Sequence, residues 1–188
     1  MPTMETQEVC DCGGHLRPAK LDTYDFSRYV GFKVTLRGMD VLRCESCGWA
    51  TLDGTMINTV LHRLVVDFTR FPRRLNANEA KYLRRSIDAT QEELASRMGI
   101  VRETVAKWEC DDQTISPQHD FILRMLALGG MVGRGLMTHE IAGEILAENF
   151  RAVRSNPPRE ITPAVDMSGI GPSNYYEQSP EKKLAAAG

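Results

Sequence analysis

Four of the five cysteines of this chain form two short clusters that lie far apart in the sequence. The first cluster is Cys10-Asp11-Cys12 and the second is Cys44-Glu45-Ser46-Cys47. One metal ion can join two such thiol pairs, and it then stabilises a module whose hydrophobic core is too small to fold alone. The clusters therefore predict a structural site for one Zn²⁺ per chain.

The spacing within the clusters leaves two possible ligand sets. Cys44-x-x-Cys47, with Gly48 behind it, has the usual spacing of a zinc-binding turn, whereas Cys10-x-Cys12 is one residue shorter. We rank the four cysteines first; the alternative uses Cys12 and His15 and leaves Cys10 spare. Reduced thiols without a ligand, or a disulfide, are a third interpretation. A closed four-ligand site has no open position for water, so a catalytic zinc is not expected.

Composition and charge restrict the partners. The odd number of cysteines and the absence of a signal-peptide pattern in residues 1–5 predict a reducing, cytoplasmic location, and no apolar stretch is long enough for a membrane role. The formal net charge is -2, and four thiolates with one dication would bring it to -4. A surface for nucleic acid must therefore be local.

The pattern along the chain predicts an α+β protein: a small zinc-ribbon-like β module, an all-α helix-turn-helix domain and a disordered C-terminal tail. Residues 32–37 and 41–43 favour strands joined by a turn at 38–40, and a helical stripe over 56–68 should end at Pro72. The expected domains are a zinc-binding module (1–54), a linker helix (55–75), a helix-turn-helix domain (76–128), a glycine-rich hinge with an extra helix (129–154) and the tail (155–188).

Helix starts are marked by side chains that cap backbone N–H groups. Asn76 precedes Glu79 by three residues and Thr90 precedes Glu93 by three, which is the capping-box spacing. Ser116-Pro117 and Thr138 mark two further starts. We predict helices near 77–87, 91–97, 102–109 and 117–128, with another after Thr138. The glycine-rich run 129–135 should interrupt the pattern.

The region from Thr90 to Glu109 favours a DNA-reading helix pair. Leu94, Ala95 and Met98 form an inner face, Gly99 makes the turn, and Val105 with Trp108 point inward. A plain helical bundle would need the same apolar spacing, but the polar residues at the helix start and on the outer face favour DNA binding. The predicted DNA-binding residues are Gln91, Arg102, Glu103, Thr104 and Lys107.

Two stretches carry a resemblance to known families. Thr90-Gln91-Glu92-Glu93-Leu94-Ala95 through Gly99 to Trp108-Glu109 resembles the Cro/repressor type of helix-turn-helix. The stretch Val34-Thr35-Leu36-Arg37-Gly38 through Leu42-Arg43-Cys44-Glu45-Ser46-Cys47 is similar to the zinc-binding half of MqsA-type antitoxins. The resemblance covers about residues 9 to 128.

The resemblance implies a zinc domain that binds a toxin and a helix-turn-helix that represses its own operon as a dimer. It implies Cys10, Cys12, Cys44 and Cys47 as zinc ligands. The two base-reading positions of the family, an asparagine and an arginine, fall on Glu103 and Lys107, which implies a different operator sequence.

These observations predict an antitoxin and transcriptional autorepressor. Its expected partners are a palindromic double-stranded operator, a cognate toxin and a second copy of the chain. The alternative is a stand-alone zinc-containing regulator without a toxin. An enzyme is not expected, because the four histidines are scattered and no nucleophile motif or carboxylate pair stands out. Five aromatic residues of the small β module are candidates to face a protein partner: Tyr24, Phe26, Tyr29, Phe32 and Trp49.

Overall fold

A computed structural model of the chain describes residues 9–71, 73–152 and 164–167. These residues form two compact units, one of 9–60 together with 164–167 and the other of 61–152. The first unit contains a small sheet and the second contains helices, which confirms the predicted α+β class with an amino-terminal antiparallel sheet. No helix among the described residues is long and apolar enough to cross a membrane.

The sheet of the first unit is built around one central strand. Strand β1 (Leu16–Asp25) leads through a short helix α1 (Ser27–Val30) into strand β2 (Thr35–Cys44), and strand β3 (Ala50–Thr51) follows. Strand β2 pairs antiparallel with β1, from Leu16 opposite Cys44 to Asp25 opposite Thr35, and with β3 at its other edge.

Two sequence predictions for this sheet are corrected. The expected turn at 38–40 is wrong, because β2 continues through Gly38, whose positive φ of 67° bends the strand without ending it. Strand β1 was not foreseen. Most of its exposed positions are polar and only Tyr24 is buried, so the alternation that marks a half-buried strand is weak.

A fourth strand comes from the far end of the chain. Strand β4 (Ala164–Asp166) pairs parallel with β2 at Thr35–Arg37, and since β1 occupies the other edge there, β4 lies on the same edge as β3. The N–H of Met167 donates to the Arg37 carbonyl oxygen at 2.9 Å, and Met167 is buried. Residues 164–167 are therefore ordered within the segment 155–188 for which the sequence predicts disorder; the rest of that segment lies outside the described residues.

The helices begin and end near the predicted positions. Their bounds are α2 (Gly54–Arg70), α3 (Ala77–Ser86), α4 (Gln91–Met98), α5 (Arg102–Glu109), α6 (Pro117–Gly133) and α7 (His139–Ala152). Both predicted capping boxes are present at α3 and α4, and Ser116 caps α6 by accepting from the His119 N–H. Pro72 lies outside the described residues.

The predicted break at Gly129 is wrong, because α6 continues through Gly133. Gly130 lies so close to α3 that a Cβ atom there would be 2.7 Å from the Cγ2 atom of Ile87. Met131, one residue later, is fully buried. Tertiary packing therefore outweighs the low helix propensity of the glycines, and glycine is what permits the close approach.

Candidate metal centre and candidate nucleic-acid interface

The first cysteine turn is residues 10–14, immediately before β1. The N–H of Cys10 donates to the Gly14 carbonyl at 2.9 Å, and the N–H of Gly13 donates to the Cys10 carbonyl at 2.8 Å. Gly13 has a left-handed φ of 83°, which a side chain would disfavour. This tight loop compensates for the short spacing of the cluster, because it turns Cys10 and Cys12 to the same side.

The second cysteine turn is residues 44–48, at the end of β2. The N–H of Gly48 donates to the Cys44 carbonyl at 3.0 Å, and the N–H of Cys44 donates to the Trp49 carbonyl at 2.8 Å. Gly48 also has a left-handed φ, of 74°. The chain thereby reverses direction and enters β3, so that Cys44 and Cys47 project from one short loop.

Strand pairing places the two turns against each other. Leu16, the first residue of β1, is opposite Cys44, and the N–H of Glu45 donates to the His15 carbonyl at 3.2 Å. Gly14 is at the contact, where an added Cβ atom would be 2.6 Å from the Ser46 Oγ and 2.7 Å from the Cys44 Sγ. The close approach of the turns therefore depends on the missing side chain.

The four sulfur atoms have the spacing of a tetrahedral ligand set. The Sγ atoms of Cys10 and Cys47 are 3.7 Å apart, those of Cys12 and Cys44 are 3.5 Å apart, and all four lie within 4.8 Å of one another. Zinc–sulfur bonds of about 2.3 Å in a tetrahedron give sulfur–sulfur distances of about 3.8 Å. All four cysteines are free thiols. The cluster therefore fits a metal ion and contains no disulfide.

The ligand set is the one ranked first from the sequence. Among the described residues, the group that could hold an ion consists of Cys10, Cys12, Cys44 and Cys47, without His15. Cys10 and Cys44 are buried, whereas Cys12 and Cys47 are exposed. The site therefore has a covered side and an open side.

Backbone donors favour the metal-binding form of Cys44. Hydrogen bonds from the N–H groups of Cys47 and Ser46 lower the pKa of Cys44 to about 6, and its thiolate is the form that binds metal. At Cys10, the N–H of Cys12 also lowers the pKa, but burial and the neighbouring thiols outweigh it and raise that pKa to about 12. Without a cation the cluster therefore retains protons, and a bound cation would have to displace them.

Helices α4 and α5 form the second candidate surface. Gly99, with φ of 67°, ends α4, and the N–H of Ile100 donates to the Ala95 carbonyl at 3.0 Å. Of the side chains predicted to face inward, Leu94, Ala95, Val105 and Trp108 are buried, whereas Met98 is half-buried. This packing directs the start of α5 outward.

The predicted DNA-binding residues of α5 lie on its outer face. Arg102, Glu103 and Lys107 are exposed, and Thr104 is half-buried. Neither Arg102 nor Lys107 makes an ion pair within the part of the chain that the structure describes. Val101, which precedes α5, is 62% exposed and adds an apolar group to this face.

Gln91 is held at the start of α4 by a neighbouring carboxylate. Its Nε2 donates to Glu109 Oε2 at 2.9 Å, and the same carboxylate forms an ion pair with Arg84 at 2.6 Å. Burial alone would raise the pKa of Glu109, but the hydrogen bonds from Arg84 and Gln91 outweigh it and lower that pKa. Gln91 is thus positioned, with one N–H of its amide already used.

The aromatic residues of the first unit divide into buried and exposed ones. Phe26 and Tyr24 are buried, which is contrary to a role in facing a partner, whereas Trp49 is 42% exposed. The sequence reasoning missed Arg28, whose guanidinium lies over the Tyr29 and Trp49 rings. An arginine four residues after Tyr24 and next to Tyr29, on a short helix, was the available signal.

No protein-family model, curated protein or solved structure matches this chain. The residues themselves are therefore the basis for the functional proposal.

Proposed function

We propose that this protein is a zinc-containing, DNA-binding transcriptional repressor that also acts as the antitoxin of a toxin–antitoxin pair. The observation that carries the proposal is the α4–α5 pair, with an exposed basic face on α5. An α-helix fits the major groove, and residues at its beginning reach base edges while the preceding helix contacts the backbone. Arg102 and Lys107 are both exposed, lie about 1.4 helical turns apart on α5, and have no competing ion pair among the described residues.

Three residues complete the proposed reading surface. Glu103 accepts from a cytosine amino group or orients Arg102, and the Thr104 hydroxyl and the Gln91 amide contact base or phosphate. We propose two copies of the chain on a two-fold symmetric operator, because one helix reads only a half-site.

The metal we propose is zinc. A tetrahedral set of four thiolates favours zinc over calcium or magnesium, which prefer oxygen ligands. Metal analysis of protein purified without chelator should give one zinc per chain. Cys44→Ser should lose the metal and unfold the first unit, while the helical signal of the second unit remains. Protein that contains no zinc would refute the assignment.

DNA binding is tested with a fragment of the promoter upstream of the gene. Arg102→Ala and Lys107→Ala should each weaken operator binding by about 1–3 kcal/mol if they read bases. If a residue contacts phosphate only, its loss should weaken all sequences alike and reduce the salt dependence. Lys20→Ala, which removes an exposed charge from the first unit, is the control. Unchanged operator affinity in the Arg102/Lys107 double alanine variant would refute the interface.

The antitoxin part of the proposal is supported by the resemblance and by the exposed Trp49 beside the metal centre. Coexpression with the protein encoded by the adjacent gene should give a stable complex. It should also relieve any growth arrest that the neighbouring gene's product causes when it is expressed alone. If the neighbour neither binds nor arrests growth, the chain is instead a stand-alone regulator.

A further inference from the structure

Arg28 of the first unit lies against two aromatic rings. Its guanidinium carbon is 4.6 Å from the centre of the Tyr29 ring and 5.6 Å from that of the Trp49 ring. Its Nη2 atom donates to the hydroxyl groups of Tyr24 and Thr51, each at 3.3 Å, and to the Tyr29 hydroxyl. We call Tyr24, Arg28, Tyr29, Trp49 and Thr51 the Arg28 platform.

The platform leaves part of the guanidinium available. The hydroxyl groups that accept from Arg28 are neutral and all contact Nη2, and Nε and Nη1 have no hydrogen-bond partner among the described residues. Arg28 also has no carboxylate partner there and is exposed to solvent. The N–H groups of Nε and Nη1 point to different edges of the guanidinium plane, so each can donate a separate charge-assisted hydrogen bond to an anionic oxygen.

The contacts that hold Arg28 reduce the entropy cost of binding. A free arginine side chain loses rotamer freedom when it is immobilised, but stacking on two rings and three hydrogen bonds have already ordered this one. Tryptophan, tyrosine and arginine are also the residues that most often contribute large binding energies at protein interfaces. The platform combines all three.

The surrounding charge favours a single carboxylate over a polyanion. The six basic and six acidic residues of segment 9–60 cancel, and a zinc ion with four thiolates adds a charge of -2. This local potential opposes a nucleic acid, whose many phosphates need a basic surface. One carboxylate can instead pair with Arg28 while the partner covers the exposed Trp49 ring.

We propose that the Arg28 platform is the anchor point for a protein partner and binds an aspartate or glutamate side chain of that partner. The inference rests on the proposed antitoxin function and specifies how the first unit binds the toxin. The carboxylate accepts a charge-assisted hydrogen bond from the free Nε or Nη1 of Arg28, and the rim of the contact excludes water from the pair.

The experiment uses the full-length protein and the protein encoded by the adjacent gene, with affinity measured by titration calorimetry. Arg28→Met should weaken binding by about thirtyfold or more, the effect of losing an interface hot spot. Arg28→Lys should also weaken it, because the single nitrogen of an ammonium group cannot take the place of Nη2 among the hydroxyl groups and at the same time donate to the partner's carboxylate from the position of Nε or Nη1. Arg37→Met removes an exposed arginine of the same sheet and is the matched control, which should bind like wild type.

The carboxylate is identified on the partner side. Each exposed aspartate or glutamate of the partner is changed to its amide, and one such variant should weaken binding to wild type but not to Arg28→Met. Zinc content and NMR spectra verify that each variant is folded. If Arg28→Met does not fold, Arg28→Lys, which keeps a positive charge at this position, is the variant used for the test.

Three results would overturn the proposal in distinguishable ways. Wild-type binding with no loss in either Arg28 variant refutes the platform but leaves the antitoxin function intact. Failure of the wild type to bind the neighbour refutes the antitoxin function, and the platform assignment with it. If Arg28→Met instead loses affinity for a fluorescent single-stranded 20-mer and retains the partner, the platform is a nucleic-acid site.

Discussion

At the residue scale, Gly14 is decisive for the metal centre because the two cysteine turns meet on it. A methyl group there would be 2.7 Å from Cys44 Sγ and 2.8 Å from Ser46 Cβ, so either a ligand atom or the backbone of the second cysteine turn would have to move. Overpacking of this kind costs about 1–3 kcal/mol, or about fivefold to 150-fold in affinity. We therefore expect Gly14→Ala to weaken zinc binding by at least about fivefold in competition with a chromophoric chelator. Gly54→Ala, at a position with open space, should not change it.

The second residue-scale prediction concerns Arg124, which is fully buried in the helical unit. Its guanidinium pairs with Asp120 and donates to the carbonyl groups of Phe71 and Arg73, and Asp120 also accepts from the Leu75 N–H. Arg124→Met would leave that carboxylate buried without its cation, at a cost of about 3–5 kcal/mol in the free energy of unfolding.

A matched control for Arg124 exists on α2. Arg63 and Asp67 have the same i,i+4 spacing but are partly exposed, so Arg63→Met should cost about 0.3–0.5 kcal/mol. Urea unfolding monitored by helical circular dichroism measures both variants. Equal small losses would show that the buried ion pair contributes little.

At the element scale, the Glu109 carboxylate joins three helices: its own α5, α3 through Arg84 and α4 through Gln91. The pKa of Glu109 is lower in the folded protein than in the unfolded chain. The ionised carboxylate therefore stabilises the fold fully above the unfolded pKa of about 4.3, and this contribution is lost as the pH falls through the folded pKa. The stability difference between wild type and Glu109→Gln should therefore be constant at neutral pH and shrink below about pH 4.3. Urea unfolding of both proteins from pH 3 to 7 measures it, and a difference that does not change with pH would contradict the assigned contacts.

At the scale of the whole molecule, the sheet of the first unit includes a strand that follows the helical unit in sequence. A chain that ends at residue 163 lacks β4 and Met167, whose side chain is 3% exposed. Burial of a methionine contributes about 1.5–3 kcal/mol, so we expect this truncation to destabilise the first unit by a similar amount and to leave the second unchanged. Faster hydrogen exchange of the β2 amides at 35–37 is the measurement.

A chain that ends at residue 167 retains β4 and is the control for that truncation. Met167→Ser in the full-length protein tests the side chain alone and should give part of the same loss. If both truncated chains and Met167→Ser exchange these amides at the wild-type rate, β4 does not stabilise the sheet.

The features that the sequence determined by itself are those with local signals. The cluster spacings located the two cysteine turns and ranked the four cysteines first as ligands of the candidate metal centre, and the capping boxes at Asn76 and Thr90 located the starts of α3 and α4. A cap works over three residues and a cysteine turn over two or three, so the interacting groups are visible together in the sequence.

Only the tertiary structure decided the features that depend on distant partners. Cys10 rather than His15 joins the cluster because strand pairing brings it to Cys47, 37 residues away. Strand β1, the continuation of α6 through Gly130 and the pairing of β4 all depend on contacts that outweigh local propensity. Arg28 was not recognised as a candidate for the same reason. Trp49 and Thr51, which complete its site, follow the central strand β2 in the sequence, whereas Arg28 precedes it, and only folding places them around its guanidinium.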